Sequence, residues 1–105
     1  MPQFTVYRNR NPQTRSSIPF LLNVQCNLLG ELNTRVVIPM YLRKSLKTAS
    51  MTQLTPEVTF AGKKLVLMTP QLAGIAVKDL GDAAGNLGAN RDSIIAALDL
   101  LFTGV

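Results

Sequence analysis

A chain of 105 residues makes one domain, enough to bury roughly 65% of its unfolded surface without disulfides or metals. Apolar residues are 47% and charged residues 16%, which excludes a disordered chain and leaves surface for a partner, first of all a second copy of itself. The net charge of +5 favours acidic partners, no apolar run approaches the ~20 residues of a membrane span, and one cysteine excludes an internal disulfide, which fits a reducing cytoplasm.

Residues 4–7 alternate and read as a first strand rather than a secretion signal, because the start lacks a hydrophobic block. A polar, proline-containing loop follows over residues 8–17. Residues 20–24 form a second strand, and residues 25–30 lead out of it. Leu28 and Leu29 are adjacent, so an extended chain points them to opposite faces, one toward the core and one toward an interface. Residues 35–41 are the strongest strand. Their run Val36-Val37-Ile38-Pro39-Met40 predicts burial on both faces, while Pro39 marks a strand end or an edge.

Residues 42–55 are basic and rich in Ser and Thr, a long connection with room for one helical turn. Residues 58–60 and 63–68 flank Ala61-Gly62, a two-residue hairpin turn. Residues 70–74 are a short turn and residues 75–80 another strand. Residues 81–89 carry three glycines and read as a flexible connection. Their spacing is not a dinucleotide fingerprint, and no phosphate-loop Lys-Ser/Thr follows.

Residues 90–105 predict a helix. On a helical wheel Ile94, Ile95, Leu98, Leu101 and Phe102 share one sector, a core-facing stripe. Asp92, Ala96, Asp99 and Thr103 fall on the far side, a small or acidic face suited to close approach of a partner backbone. Asn90 is the expected N-cap, Asp92 complements the helix dipole, and Gly104 is placed to end the helix before Val105. Short strands joined by tight turns and closed by one helix predict a mostly β fold, a strongly bent antiparallel sheet or barrel.

Chemistry is scarce. The chain has no histidine, hence neither the usual general base nor the commonest metal ligand, and one cysteine makes no Cys–His pair. The expectation is a binding protein with no catalytic residue, metal or cofactor. Of the eleven basic residues, Arg8, Arg10 and Arg15 lie in one loop and Arg43, Lys44 and Lys47 in another. Neither has the interleaved aromatics of a nucleic-acid surface.

Taken together, Gln3-Phe4-Thr5-Val6-Tyr7, Asn23-Val24-Gln25, Leu28-Leu29, Thr34-Arg35-Val36-Val37-Ile38-Pro39-Met40 and the closing helix ending Phe102-Thr103-Gly104-Val105 resemble the CcdB family of toxins, which poison DNA gyrase. The likeness runs nearly end to end, as a single CcdB-like toxin domain. It implies an SH3-like barrel with a C-terminal helix, a cytoplasmic homodimer, and docking on the gyrase A subunit that traps the enzyme on cleaved DNA. It also implies neutralisation by an antitoxin with a disordered C-terminal segment, contact with nucleic acid only through gyrase or the antitoxin, and no membrane.

Mapped by the resemblance, the gyrase-binding residues are Cys26, Leu28, Leu29, Asp99, Thr103, Gly104 and Val105. Beside this stand plainer readings: a helix C-cap for the last three, a solvated acid for Asp99 and a small loop or core side chain for Cys26. Three positions depart from the family pattern. Thr103 replaces a tryptophan, Asp99 an asparagine with an anion that only accepts hydrogen bonds, and Cys26 a serine. Arg8, Arg10, Arg15, Arg43 and Lys44 are the expected antitoxin contacts, against the plainer reading of solvated loop charge. Two other functions stay open. One is a ribonuclease toxin on the same barrel, with Arg35 or Arg15 stabilising the phosphorane. The other is a divergent toxin that only binds antitoxin.

Overall fold

The computed structural model describes residues 2–29, 31–47 and 53–104. Val105 and residues 48–52 of the long connection therefore lie outside the described residues. The strands are β1 Thr5–Asn9, β2 Phe20–Asn23, β3 Thr34–Leu42, β4 Glu57–Phe60, β5 Lys63–Leu67, β6 Ala73–Ala76 and β7 Leu80–Asn86. One helix, α1 Arg91–Thr103, closes the chain. The strands pair antiparallel in the order β4-β5-β3-β2-β1-β7, with β6 also beside β3. The sheet is strongly curled into a half-barrel, the mostly-β fold with a C-terminal helix that the sequence predicts. Among the described residues no helix is long and apolar enough to cross a membrane.

β3 organises the sheet, and its apolar run is explained by burial on both faces. Ile38 and Met40 point into the main core with Val6, Leu22, Leu65, Leu67 and Ile94. Val37 points the other way and packs with Tyr7, Leu21 and Leu80 beneath Ile18 and Ile75. Pro39 does not lie at the end of β3 or on an edge strand. It sits mid-strand opposite Leu21, and its carbonyl accepts the Met68 N–H at 2.9 Å. That places its missing donor on the side where β3 changes partner, from β6 at residues 34–37 to β5 at residues 40–42. The proline marks the ends of its neighbours instead of its own.

The hairpin of β4 and β5 turns at Ala61 and Gly62, with φ of 53° and 74°. Phe60 locks it to the body by an edge-to-face contact with Phe20, centroids 5.1 Å apart. The long connection does hold one helical turn, the 3-10 turn Arg43–Ser45.

The stretch after β5 differs from expectation. The strand predicted over residues 75–80 is divided: β6 ends at Ala76, the 3-10 turn Val77–Asp79 intervenes, and β7 begins at Leu80. The predicted glycine-rich connection is mostly β7 itself, paired with β1 through register shifts. Its glycines permit close approach. A Cβ on Gly81 would stand 2.6 Å from the Arg8 carbonyl oxygen, and one on Gly85 would stand 2.8 Å from the Phe60 ring.

The helix is rotated about its axis relative to prediction. Ile94 and Ala97 are its buried residues, while Ile95, Leu98 and Leu101 are half-buried and Phe102 is 69% exposed. Ala97 lies on the flank opposite Phe102 and is fully buried, so that flank is the one turned inward. Asn90 makes no side-chain cap. The helix is instead preceded by the 3-10 turn Gly88–Asn90, and Asn86 Oδ1 accepts the Gly88 N–H at 2.6 Å. The orphan donor has moved upstream, and the capping side chain with it.

Candidate functional site

The end of α1 is built as the sequence expects and exposed further than it expects. Gly104 takes the left-handed conformation at φ 78°, and its N–H donates to the Leu100 carbonyl at 3.0 Å. The Thr103 hydroxyl donates to the Asp99 carbonyl one turn back at 2.7 Å, so this donor is used within the helix. Asp99, Thr103 and Gly104 are all exposed. Among the described residues no side chain is bonded to the Asp99 carboxylate. Phe102 lies beside Asp99 on the wheel, on the side away from Thr103, and extends their exposed face with an aromatic ring. Its place at the edge of the predicted stripe, one turn past the last buried residue, was the only signal that it faces outward.

The second patch is the loop after β2. Cys26 is exposed and free, and Asn27–Leu29 forms a 3-10 turn. The strand-like split of Leu28 and Leu29 does not occur, because in a 3-10 turn neighbours do not alternate between faces. Leu28 is 92% exposed and Leu29 50% exposed, and Leu32, absent from the sequence-derived set, is similarly open. Large apolar side chains clustered in this way on a surface mark a contact site.

The buried amides Asn23 and Gln25 and the exposed Asn27 hold this loop in place. The Gln25 side chain donates to the Leu29 carbonyl at 2.9 Å and accepts the Val36 N–H at 3.1 Å, tying the loop to β3. Asn23 accepts the Gln25 N–H at 3.1 Å, and Asn27 accepts the Gln3 N–H at 2.5 Å. Among the described residues no hydrogen bond or ion pair joins this loop to the end of α1.

The basic residues form separate places. Arg8 belongs to β1, not to the loop, and its guanidinium lies 5.9 Å from the Phe20 ring centroid. With Arg10 and Arg15 it nonetheless lines one cavity of about 690 Å³, shared with Asp82. Arg10 Nη1 donates to the Lys78 carbonyl at 3.3 Å. Arg43 and Lys44 lie on the 3-10 turn after β3, and Arg43 Nε is 2.7 Å from Glu57. Lys47 is exposed beyond that turn.

Arg35 is poorly placed to hold a phosphorane. It is buried, and its guanidinium donates to the Leu32 and Thr34 carbonyls, the latter at 2.8 Å. Burial pushes the Tyr7 hydroxyl above the ordinary tyrosine value of 10.0, with Arg35 and a Thr5 hydrogen bond pulling the other way. Arg35 therefore belongs to the interior of the fold. Among the described residues no group of histidine, cysteine and acidic side chains gathers to hold a metal ion.

The family model for the CcdB protein matches residues 3–104, nearly the whole chain.

Proposed function

The chain belongs to the CcdB family, the toxins of toxin–antitoxin pairs, and we propose that it acts without enzymatic chemistry, as one toxin domain that binds the gyrase A subunit and traps gyrase on cleaved DNA. The observation that carries this reading is the end of α1, where Phe102, Asp99, Thr103 and Gly104 form an exposed face with an unpaired carboxylate.

A homodimer with two such helices side by side would present one continuous docking face to gyrase. The second patch, Cys26, Leu28 and Leu29, would join that face across the dimer; among the described residues no hydrogen bond or ion pair links it to the helix end of its own chain. Phe102 supplies the large aromatic anchor beside Thr103, and buried aromatic anchors commonly carry 2 kcal/mol or more of an interface. Asp99 would pair with a cation on gyrase. The mechanism is differential binding: the toxin stabilises the cut-DNA state of gyrase and shifts the population toward it. The action is cytoplasmic, where gyrase works. A cognate antitoxin with a disordered C-terminal segment would reverse it through the basic cavities near Arg8, Arg10, Arg15, Arg43 and Lys44.

The test is a gyrase cleavage assay with purified protein, ATP and supercoiled DNA, treated with detergent and protease to reveal trapped breaks. Linear DNA is the expected product. Its absence at high dose, with RNA cleaved by the same preparation, would replace this reading with a ribonuclease. Absence of both activities with antitoxin still bound would leave a toxin that only titrates its antitoxin.

A further inference from the structure

Ahead of β1 the chain leaves the path of the strand. Phe4 has φ 70°, left-handed backbone that a residue with a Cβ takes only where its surroundings impose it. Its ring is buried in the main core, in the cluster that includes Ile94 of α1, and that packing holds the bend. The bend lays Gln3 between two segments far from each other in sequence. One is the loop after β2, and the other is the stretch through Asn86 and the 3-10 turn Gly88–Asn90 that leads into α1.

The backbone of Gln3 and Phe4 is divided between these two sides. Toward the loop, the Gln3 N–H donates to Asn27 Oδ1 at 2.5 Å and the Phe4 N–H to the Asn23 carbonyl at 2.7 Å. The Gln3 side chain adds a bond to the Val24 carbonyl at 3.1 Å. Toward the helix, the Gln3 carbonyl accepts from Asn86 Nδ2 at 3.2 Å and the Phe4 carbonyl accepts the Leu87 N–H at 2.9 Å. Asn86 spends its Oδ1 on the Gly88 N–H, and a Cβ at Gly88 would stand 2.7 Å from that oxygen, so a side chain there would displace it. A path of hydrogen bonds thus runs Asn27, Gln3, Asn86, Gly88, from the residue between Cys26 and Leu28 to the last turn before α1. Extension of the ladders beyond Thr5 accounts for the two Phe4 bonds. It does not account for two asparagine side chains that meet on Gln3 from opposite sides.

We propose that Asn27, Gln3 and Asn86 are positioning residues that couple the loop over residues 26–29 to the root of α1. The loop patch and the helix are thereby set as one unit before a partner arrives, which lowers the ordering cost of binding. The inference rests on the reading above for one point, that the partner is the gyrase A subunit. Asn86 is the decisive position, because it lies outside the docking residues and can act on them only through Gln3.

The experiment is amide hydrogen exchange on the full chain as wild type, Asn86→Ala and Asn27→Ala, with a gyrase A subunit titration and urea unfolding of each. Asn86→Ala should speed the Leu29 and Leu32 amides, which donate to the Cys26 and Leu29 carbonyls, by roughly threefold to tenfold. Asn27→Ala should speed the Asn90 amide by a similar factor, because coupling is reciprocal. Exchange that changes only on the mutated side in both variants would overturn the proposal. Asn27→Asp keeps the acceptor for Gln3 and should behave as wild type. Asn86→Asp keeps the Gly88 bond, loses the one to Gln3, and should loosen the loop as alanine does; a loop left unchanged by it would also overturn the proposal. It serves in place of Asn86→Ala if the alanine variant fails to fold. Each alanine variant should bind the gyrase A subunit roughly threefold to tenfold more weakly, and the double variant no more weakly than the worse single one, since one path is cut once. Losses that add would mean two independent local roles. If exchange is coupled in both directions but wild type does not bind the gyrase A subunit, the gyrase reading fails and the coupling stands.

Discussion

Replacing Gln25 with leucine separates the two tasks of one buried amide. Its oxygen accepts the Val36 N–H, and its nitrogen donates to the Leu29 carbonyl. Leu29 is half exposed, so water can replace the donor lost from its carbonyl at little cost. Val36 N–H faces β2 at a position where the strand's partner has already turned into the loop, so leucine leaves a shielded donor unpaired. Such a group costs about 1–3 kcal/mol. Leucine in the same buried space returns part of this through its apolar surface, leaving a net loss of about 1–2 kcal/mol. Urea unfolding should show the midpoint falling by roughly 1 M at unchanged slope. Hydrogen exchange should show the Val36 amide on the order of tenfold faster than its neighbours change. Gln25→Glu keeps the acceptor and loses the donor, so it should protect Val36 while freeing the loop. An unchanged Val36 amide together with an unchanged midpoint in Gln25→Leu would refute the view that this side chain pins the loop to β3.

Phe102→Ala should cost under about 1 kcal/mol of stability, since little of the ring is buried, yet weaken gyrase binding by about 2 kcal/mol, roughly 30-fold, in a titration with the gyrase A subunit. Ile94→Ala, by contrast, should cost about 2–5 kcal/mol in urea unfolding, because that side chain is fully buried. Gly81→Ala should destabilise by roughly 2 kcal/mol, since its Cβ meets backbone, and Gly85→Ala by about 1 kcal/mol, since a ring can shift; thermal unfolding ranks the two. Because the Tyr7 hydroxyl titrates above 10.0 in the fold, its contribution is complete below that pH and lost as pH rises through the higher folded value. Tyr7→Phe should flatten the fall in urea midpoint above pH 10.0.

Some of this was legible in the sequence because local rules decided it. Ala61-Gly62 between two apolar runs forced a hairpin, and Gly104 closed the helix in the conformation that only glycine adopts cheaply. β7 was not legible. Its glycines read as a flexible connection, and their role appears only when the Arg8 carbonyl and the Phe60 ring, distant in sequence, come up against them. Pro39 misled for a similar reason, since the proline rule concerns hydrogen bonds and β3 changes partner where the donor is missing. On the helix, periodicity found the stripe but not its phase. Which flank turns inward is decided by tertiary packing that the period does not encode: Ala97 is buried and Phe102, expected in the core, is at the surface. The loop leucines kept their expected neighbourhood and changed their role, because a 3-10 turn replaced the extended chain.

The central claim is that the end of α1 is where the toxin meets gyrase. Deleting Gly104 and Val105 and repeating the cleavage assay tests it most directly, with circular dichroism and antitoxin binding measured on the same protein. The account predicts a folded, antitoxin-binding protein that yields no linear DNA. Linear DNA at the wild-type level would place the gyrase contact elsewhere on the molecule.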